Sequence, residues 1–171
     1  MRIAAALAIA LALPACGLRP MYANGEGGKV AQALRSVEVA PIDGKAGWLM
    51  RNALNDRLRH DRAGGAQYRL EVELDDSISG FGVRRDDAVT RERRTLRARY
   101  RLVEAGSGAV LLDATAGSDA GIDVVSSEYA TVAAENSALE RLSQTVADQI
   151  VARIALYADR QIPDAPAAAA K

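Results

Sequence analysis

The residues best equipped for chemistry in this chain are arginines. Eight fall between Arg84 and Arg101, and five of them, Arg91, Arg93, Arg97, Arg99 and Arg101, recur at odd positions, with Thr95 completing the row. In an extended chain alternate residues share one face, so the row is a line of planar guanidinium forks. Such forks suit bidentate capture of phosphate or carboxylate groups better than lysines do. A row of like charges also repels itself, so something anionic has to lie opposite. An internal source exists in Glu71, Glu73 and Asp75, which an antiparallel hairpin could set beside Arg97, Arg99 and Arg101 as cross-strand pairs worth about 0.2–1 kcal/mol each. That source does not reach Arg84, Arg85, Arg91, Arg93 and Arg94, whose nearby acids are Asp86, Asp87 and Glu92. This distal end is predicted to stay net basic, and these five arginines are the candidate anion-binding set. Nucleic acid is a poor match for the row, because no aromatic ladder for base stacking interleaves it.

The second reactive group is the single cysteine. Arg2 gives a positive start, Ile3 to Leu13 is an apolar run of Ala, Leu and Ile, and Leu13-Pro14-Ala15-Cys16 closes it, the pattern of a lipoprotein signal peptide over residues 1–15. The run is too short to span a bilayer. Cys16 is then the lipidated N-terminus of the mature chain, its acyl chains each contributing about 0.8 kcal/mol per buried methylene. Gly17 stands where an aspartate would favour retention in the inner membrane, which points to the outer membrane, periplasmic side. With the only cysteine committed, neither a disulfide nor a cysteine-based structural zinc site is available.

Catalytic groups are missing from the pattern. The single His60 falls at a predicted helix end between Arg59 and Asp61, where a cation suits the helix dipole. The acid pairs Asp75–Asp76 and Asp86–Asp87 are adjacent, so in a strand they point to opposite faces. Gly80-Phe81-Gly82 opens no helix and is no phosphate loop. No catalytic residue, metal ligand or cofactor is predicted, and the expected protein is not an enzyme.

The elements that must position the arginines can be read from apolar spacing. Residues 16–34 are predicted to be the lipidated N-terminus and a polar tether. Val37 and Val39 alternate in a short strand stopped by Pro41, and Met50, Ala53, Leu54 and Leu58 mark a helix over 45–60 ended by Gly64 and Gly65. Tyr68, Leu70, Val72 and Leu74 alternate in a second strand fading near Ile78, followed by a loop around Gly80 and Gly82. A long third strand covers 89–104, with Leu96, Ala98, Tyr100 and Leu102 opposite the arginines. After the turn at Gly106-Ser107-Gly108, a fourth begins with Val110, Leu112, Ala114 and Ala116. Residues 117–129 read equally as a break or as strand continued across a bulge. Leu139, Leu142, Val146, Ile150, Ile154 and Tyr157 define a long amphipathic helix over 129–157. The Pro- and Ala-rich residues 161–171 are expected to be a disordered tail.

The order strand-helix-strand-strand-strand-helix over residues 35–160 is that of one α+β domain: a two-layer α/β sandwich with two helices on one face of a small, mostly antiparallel sheet. The charged sheet face then looks outward. Nineteen arginines and three lysines balance 22 acids, so the net charge of zero conceals any local patch.

The mature start CGLRPMY (Cys16 to Tyr22), this element order and the final helix opening YATVAAENSALERLSQTVADQIVARI from Tyr129 together resemble the LptE family of outer-membrane lipoproteins. The resemblance spans nearly all of the mature chain. It implies a non-enzymatic protein that plugs the β-barrel partner LptD, helps it assemble and binds lipopolysaccharide in transit. A plug has to offer a polar surface to a polar lumen, and the charged sheet face meets that need. Lipopolysaccharide is also the anion expected for Arg84, Arg85, Arg91, Arg93 and Arg94. A periplasmic auxiliary lipoprotein of an ABC-type lipid transporter would share the anchor, the layers and the lack of catalytic groups; a lipid-tethered hydrolase would need a nucleophile–base pair that the chain lacks.

Overall fold

The computed structural model describes residues 28–59, 65–83 and 89–161. Cys16, the segment 1–15, His60, Arg84, Arg85, Asp86, Asp87 and the tail from 162 lie outside the described residues. The elements in order are α1 (Lys29–Arg35), β1 (Val37–Val39), α2 (Gly44–Leu58), β2 (Tyr68–Val83), β3 (Val89–Glu104), β4 (Val110–Asp123) and α3 (Glu128–Gln161). The strands form one sheet in sequential order. β1 pairs parallel with β2, which requires a crossover between them, and α2 supplies it. The other pairings are antiparallel, so the fold is a mixed, largely antiparallel α+β sandwich as the apolar spacing indicated.

The helical layer is built on α3. Its buried residues include Ala138, Leu139, Leu142, Ser143, Val146, Ala147, Ile150, Val151, Ile154, Ala155 and Ala158, two adjacent rows at helical spacing that leave the opposite side polar. The Ser143 hydroxyl is satisfied within the helix, donating to the Leu139 carbonyl at 2.8 Å. Against this stripe pack Met50, Ala53, Leu54 and Leu58 of α2 and the sheet residues Leu70, Leu96, Ala98, Tyr100 and Leu102, all nearly free of solvent exposure. The parity of these sheet residues is what turns the odd-numbered arginines outward.

Three features depart from the sequence reading and one open alternative is decided. The stretch read as tether up to residue 34 contains α1, whose Val30, Ala33 and Leu34 are buried. Their i, i+3, i+4 spacing is a one-turn helical signal, too short to stand out. Helix α2 ends before the glycines: Arg59 takes the left-handed conformation (φ 48°, ψ 45°) and donates its N–H to the Asn55 carbonyl. The loop expected around Gly80 and Gly82 is strand, because β2 continues in register with β3, pairing Gly80 with Glu92 and Val83 with Val89. The open question at 117–129 resolves in favour of strand to Asp123, and the one irregularity in β4 lies earlier, beside Leu102 and Val103.

Candidate functional site

The outer sheet face carries three columns of charge. On β2 stand Glu71, Glu73 and Asp75; on β3 Arg91, Arg93, Arg97, Arg99 and Arg101; on β4 Asp113, Asp119 and Asp123. The register sets Glu71 opposite Arg101, Glu73 opposite Arg99 and Asp75 opposite Arg97, the alignment expected of an internal anion source. The ion pairs themselves are divided between both neighbouring strands. Arg101 donates to Glu71 at 2.9 Å, while Arg99 turns the other way and grips Asp113 through two hydrogen bonds of 3.3 and 3.0 Å. That bonding holds the Asp113 carboxyl below its usual range.

At the distal end Arg91 and Arg93 are not the uncompensated charges expected of them, while Arg84 and Arg85 lie outside the described residues. Arg91 donates to Asp123 at 3.0 Å, and Arg93 lies 3.8 Å from Asp119 while its guanidinium sits 5.3 Å above the centre of the Phe81 ring. The compensating acids come from the far half of β4. Sequence reading missed them because it gave that segment no fixed structure; the signal was the odd-numbered spacing of Asp113, Asp119 and Asp123. Both distal pairs are more than half exposed, so each contributes about 0–1 kcal/mol, and either guanidinium can exchange its carboxylate for a stronger anion.

Arg94 belongs to a different environment. Its even number puts it on the helix side, where it forms a two-pronged pair with Asp76 at 2.8 and 2.5 Å and donates to the Glu135 carbonyl at 2.9 Å. Its side chain is only 11 % exposed, and the Asp76 hydrogen bond drives its pKa further up despite burial. Arg94 therefore ties β2, β3 and α3 together. Of the candidate anion-binding residues, the structure brings Arg91 and Arg93 onto one outward row.

Near the centre of the same face is a groove of about 670 Å³ whose lining includes Glu73, Asp75, Thr95, Arg97, Thr115 and Gly117. Gly117 faces Arg97, and a Cβ there would come within 3.3 Å of the Arg97 Cγ, so the glycine leaves room for that side chain. At the free edge of β4, the Gln149 side chain from α3 accepts from the Gly117 N–H at 3.2 Å and donates to its carbonyl at 3.4 Å, occupying both groups as a further strand would. Among the described residues there is no cluster of metal-ligating side chains and no helix long and apolar enough to cross a membrane.

Comparison with known proteins shows a match to a family model described as LptE, lipopolysaccharide-assembly, over residues 34–154. No curated protein sequence matches. Among solved structures, a candidate lipoprotein from Caulobacter crescentus superposes with a TM-score of 0.67 at 26 % identity, covering 80 % of this chain and 99 % of its own. The rare lipoprotein B of Shewanella oneidensis gives a TM-score of 0.57 at 11 % identity, covering 72 % and 95 %. A lipoprotein B of Nitrosomonas europaea gives 0.55 at 13 %, covering 72 % and 82 %. The last two likenesses speak for the fold. The matched span runs from the end of α1 through the whole sheet and most of α3.

Proposed function

This chain belongs to the LptE family of lipopolysaccharide-assembly proteins, and from that premise we propose that it is an outer-membrane lipoprotein, anchored through Cys16 on the periplasmic side. There it seats within an LptD-type β-barrel, supports the barrel's assembly and takes part in moving lipopolysaccharide to the surface. The single observation that carries this reading is the family match, which covers the whole four-stranded sheet and with it the charged face. The physics of that face is compatible with the role. Its acid–base–acid columns bury little apolar area and expose many hydrogen-bonding groups, as a surface facing a polar, water-filled lumen requires. Arg91 and Arg93, with Arg84 and Arg85 of the intervening segment, are the proposed contacts to lipopolysaccharide phosphates. The exposed carboxylate partners of Arg91 and Arg93 are weak enough to be displaced by a bidentate phosphate. The role requires no catalytic group, and we take the protein to be non-enzymatic.

The test is a mild-detergent pull-down of the tagged protein from outer membranes, with mass spectrometry of what stays bound in high salt. A large barrel protein recovered at near one-to-one ratio is the expected result. Recovery of the lipoprotein alone, or with inner-membrane transporter subunits, overturns it.

A further inference from the structure

The central groove of the outer sheet face contains charges of both signs that the protein leaves unused. Arg97, Glu73 and Asp75 make no ion pair or hydrogen bond among the described residues, although Asp75 is the direct cross-strand neighbour of Arg97. Every other arginine of the outward row has a carboxylate partner. The reason is steric. Gly117 opens space on the β4 side, and the Arg97 Cγ lies against that space. Arg99 is drawn to β4 by Asp113, which leaves Glu73 facing it through charge attraction alone, without a hydrogen bond or ion pair. The result is a trough with Glu73 and Asp75 on its β2 side, Arg97 on β3 and the Thr95 and Thr115 hydroxyls also in its lining; Arg99 and Asp119 line it too, but are engaged with Asp113 and Arg93.

We propose that this groove binds a zwitterionic headgroup in which a phosphate and a primary ammonium are joined by a short bridge, the phosphoethanolamine type. Arg97 takes the phosphate, with Thr95 and Thr115 as hydroxyl donors, and Glu73 and Asp75 share the ammonium. A simple anion would meet the Arg97 fork but also the repulsion of two nearby carboxylates, and a simple cation would meet the converse. Only a ligand with both charges meets both kinds of unpaired group. Arg97 and Asp75 stand opposite each other on adjacent strands about 4.8 Å apart, so a ligand that meets both must join its two charges by a short linker. The ammonium must be primary, because a trimethylated one has no N–H to donate to Glu73 and Asp75. The argument rests on the groove alone and is independent of the barrel-partner reading.

The test is an NMR titration of the purified full-length chain with soluble phosphoethanolamine, phosphocholine, inorganic phosphate and ethanolamine at constant ionic strength, following the Arg97 side-chain Nε–H and the groove amides. The expected result is saturable binding of phosphoethanolamine at least fivefold tighter than any of the other three. Arg97→Gln and the double variant Glu73→Gln/Asp75→Asn should each weaken it at least fivefold while the amide spectrum keeps its dispersion. Binding of phosphate or phosphocholine as tight as that of phosphoethanolamine overturns the proposal, as do shifts spread over the whole arginine row or no saturation. A parallel arm with vesicles of phosphatidylethanolamine in phosphatidylcholine, against phosphatidylcholine alone, tells whether the headgroup is recognised on a membrane lipid or only free. Equal retention on both vesicles alongside solution binding assigns the site to a free or differently borne headgroup.

Discussion

At the scale of single residues, the arginines divide by parity into two kinds of work. Arg94, on the helix side, is held by three hydrogen bonds from its guanidinium to Asp76 and Glu135 and is nearly closed to solvent. Removing it strands a partly buried carboxylate, so Arg94→Ala should cost about 2 kcal/mol of unfolding free energy. Arg91→Ala, which breaks a pair exposed on both sides, should cost less than about 0.5 kcal/mol. Denaturant melts of the two variants check the contrast; equal losses would remove the distinction between the faces. A second residue-scale test concerns Arg57 of α2, which bonds Asp148 of α3 through Nε at 2.5 Å and Nη2 at 3.0 Å. That hydrogen bond, ahead of the bare charge attraction, lowers the Asp148 pKa from its ordinary 3.8. A carboxyl depressed by folding adds stability that is complete above its unfolded pKa and is lost as the pH falls through the folded one. Asp148 is 65 % exposed, so screening limits the contribution to about 1 kcal/mol. Asp148→Asn should therefore lower the melting temperature at neutral pH, and the gap from wild type should close below the carboxylate range.

At the scale of elements, the tightest constraint is where α2 begins. Gly47 lies against the chain that enters the helix: a Cβ at that position would stand 2.4 Å from the Ile42 carbonyl oxygen and 2.6 Å from its carbon. Backbone cannot move aside as a side chain can. Gly47→Ala should destabilise by about 2–3 kcal/mol in spite of alanine's better helix propensity; a neutral or stabilising effect in thermal melts would show that the Ile42 turn can yield. The legibility of elements in the sequence followed the same balance of local and distant forces. Helix α3 and the buried column of β3 were readable because Leu139 to Ile154 and Leu96 to Leu102 repeat their periods several times over. Helix α1 has one turn of pattern, and what stabilises it is contact with α3, including the Lys29 ammonium 3.8 Å from Asp159. The far halves of β2 and β4 carry Gly80, Gly82, Gly117 and Gly121, which individually argue against strand. They are strand because β3, with its unbroken alternation, templates both neighbours. The same long-range pairing made half of the candidate site invisible: the acids that compensate Arg91 and Arg93 come from β4, 26 to 32 residues further along the chain.

For the whole molecule, the columns matter more than any one pair in them. Each exposed pair adds at most about 1 kcal/mol to folding, whereas a partner surface matched to the acid–base–acid order would be met by several like-charge clashes if the order were inverted, each costly at a buried interface. Folding and partner recognition should therefore separate in one experiment. Exchanging Glu71 and Arg101, as Glu71→Arg with Arg101→Glu, keeps an oppositely charged pair at the same cross-strand position while reversing the sign that the β2 and β3 columns show at that level. The exchange loses the Arg69–Glu71 contact and gains a like-charge neighbour in Asp113. The swap should lower the unfolding free energy by no more than about 1–2 kcal/mol, leaving the protein folded, yet reduce retention of the barrel partner in a high-salt pull-down at least tenfold. The groove at Arg97 lies beyond the exchanged pair, so phosphoethanolamine binding should survive it. Loss of retention with the fold intact would identify the charged face as the seat of the partner contact. Retention unchanged would place that contact elsewhere and leave the columns as a solubilising surface for the sheet.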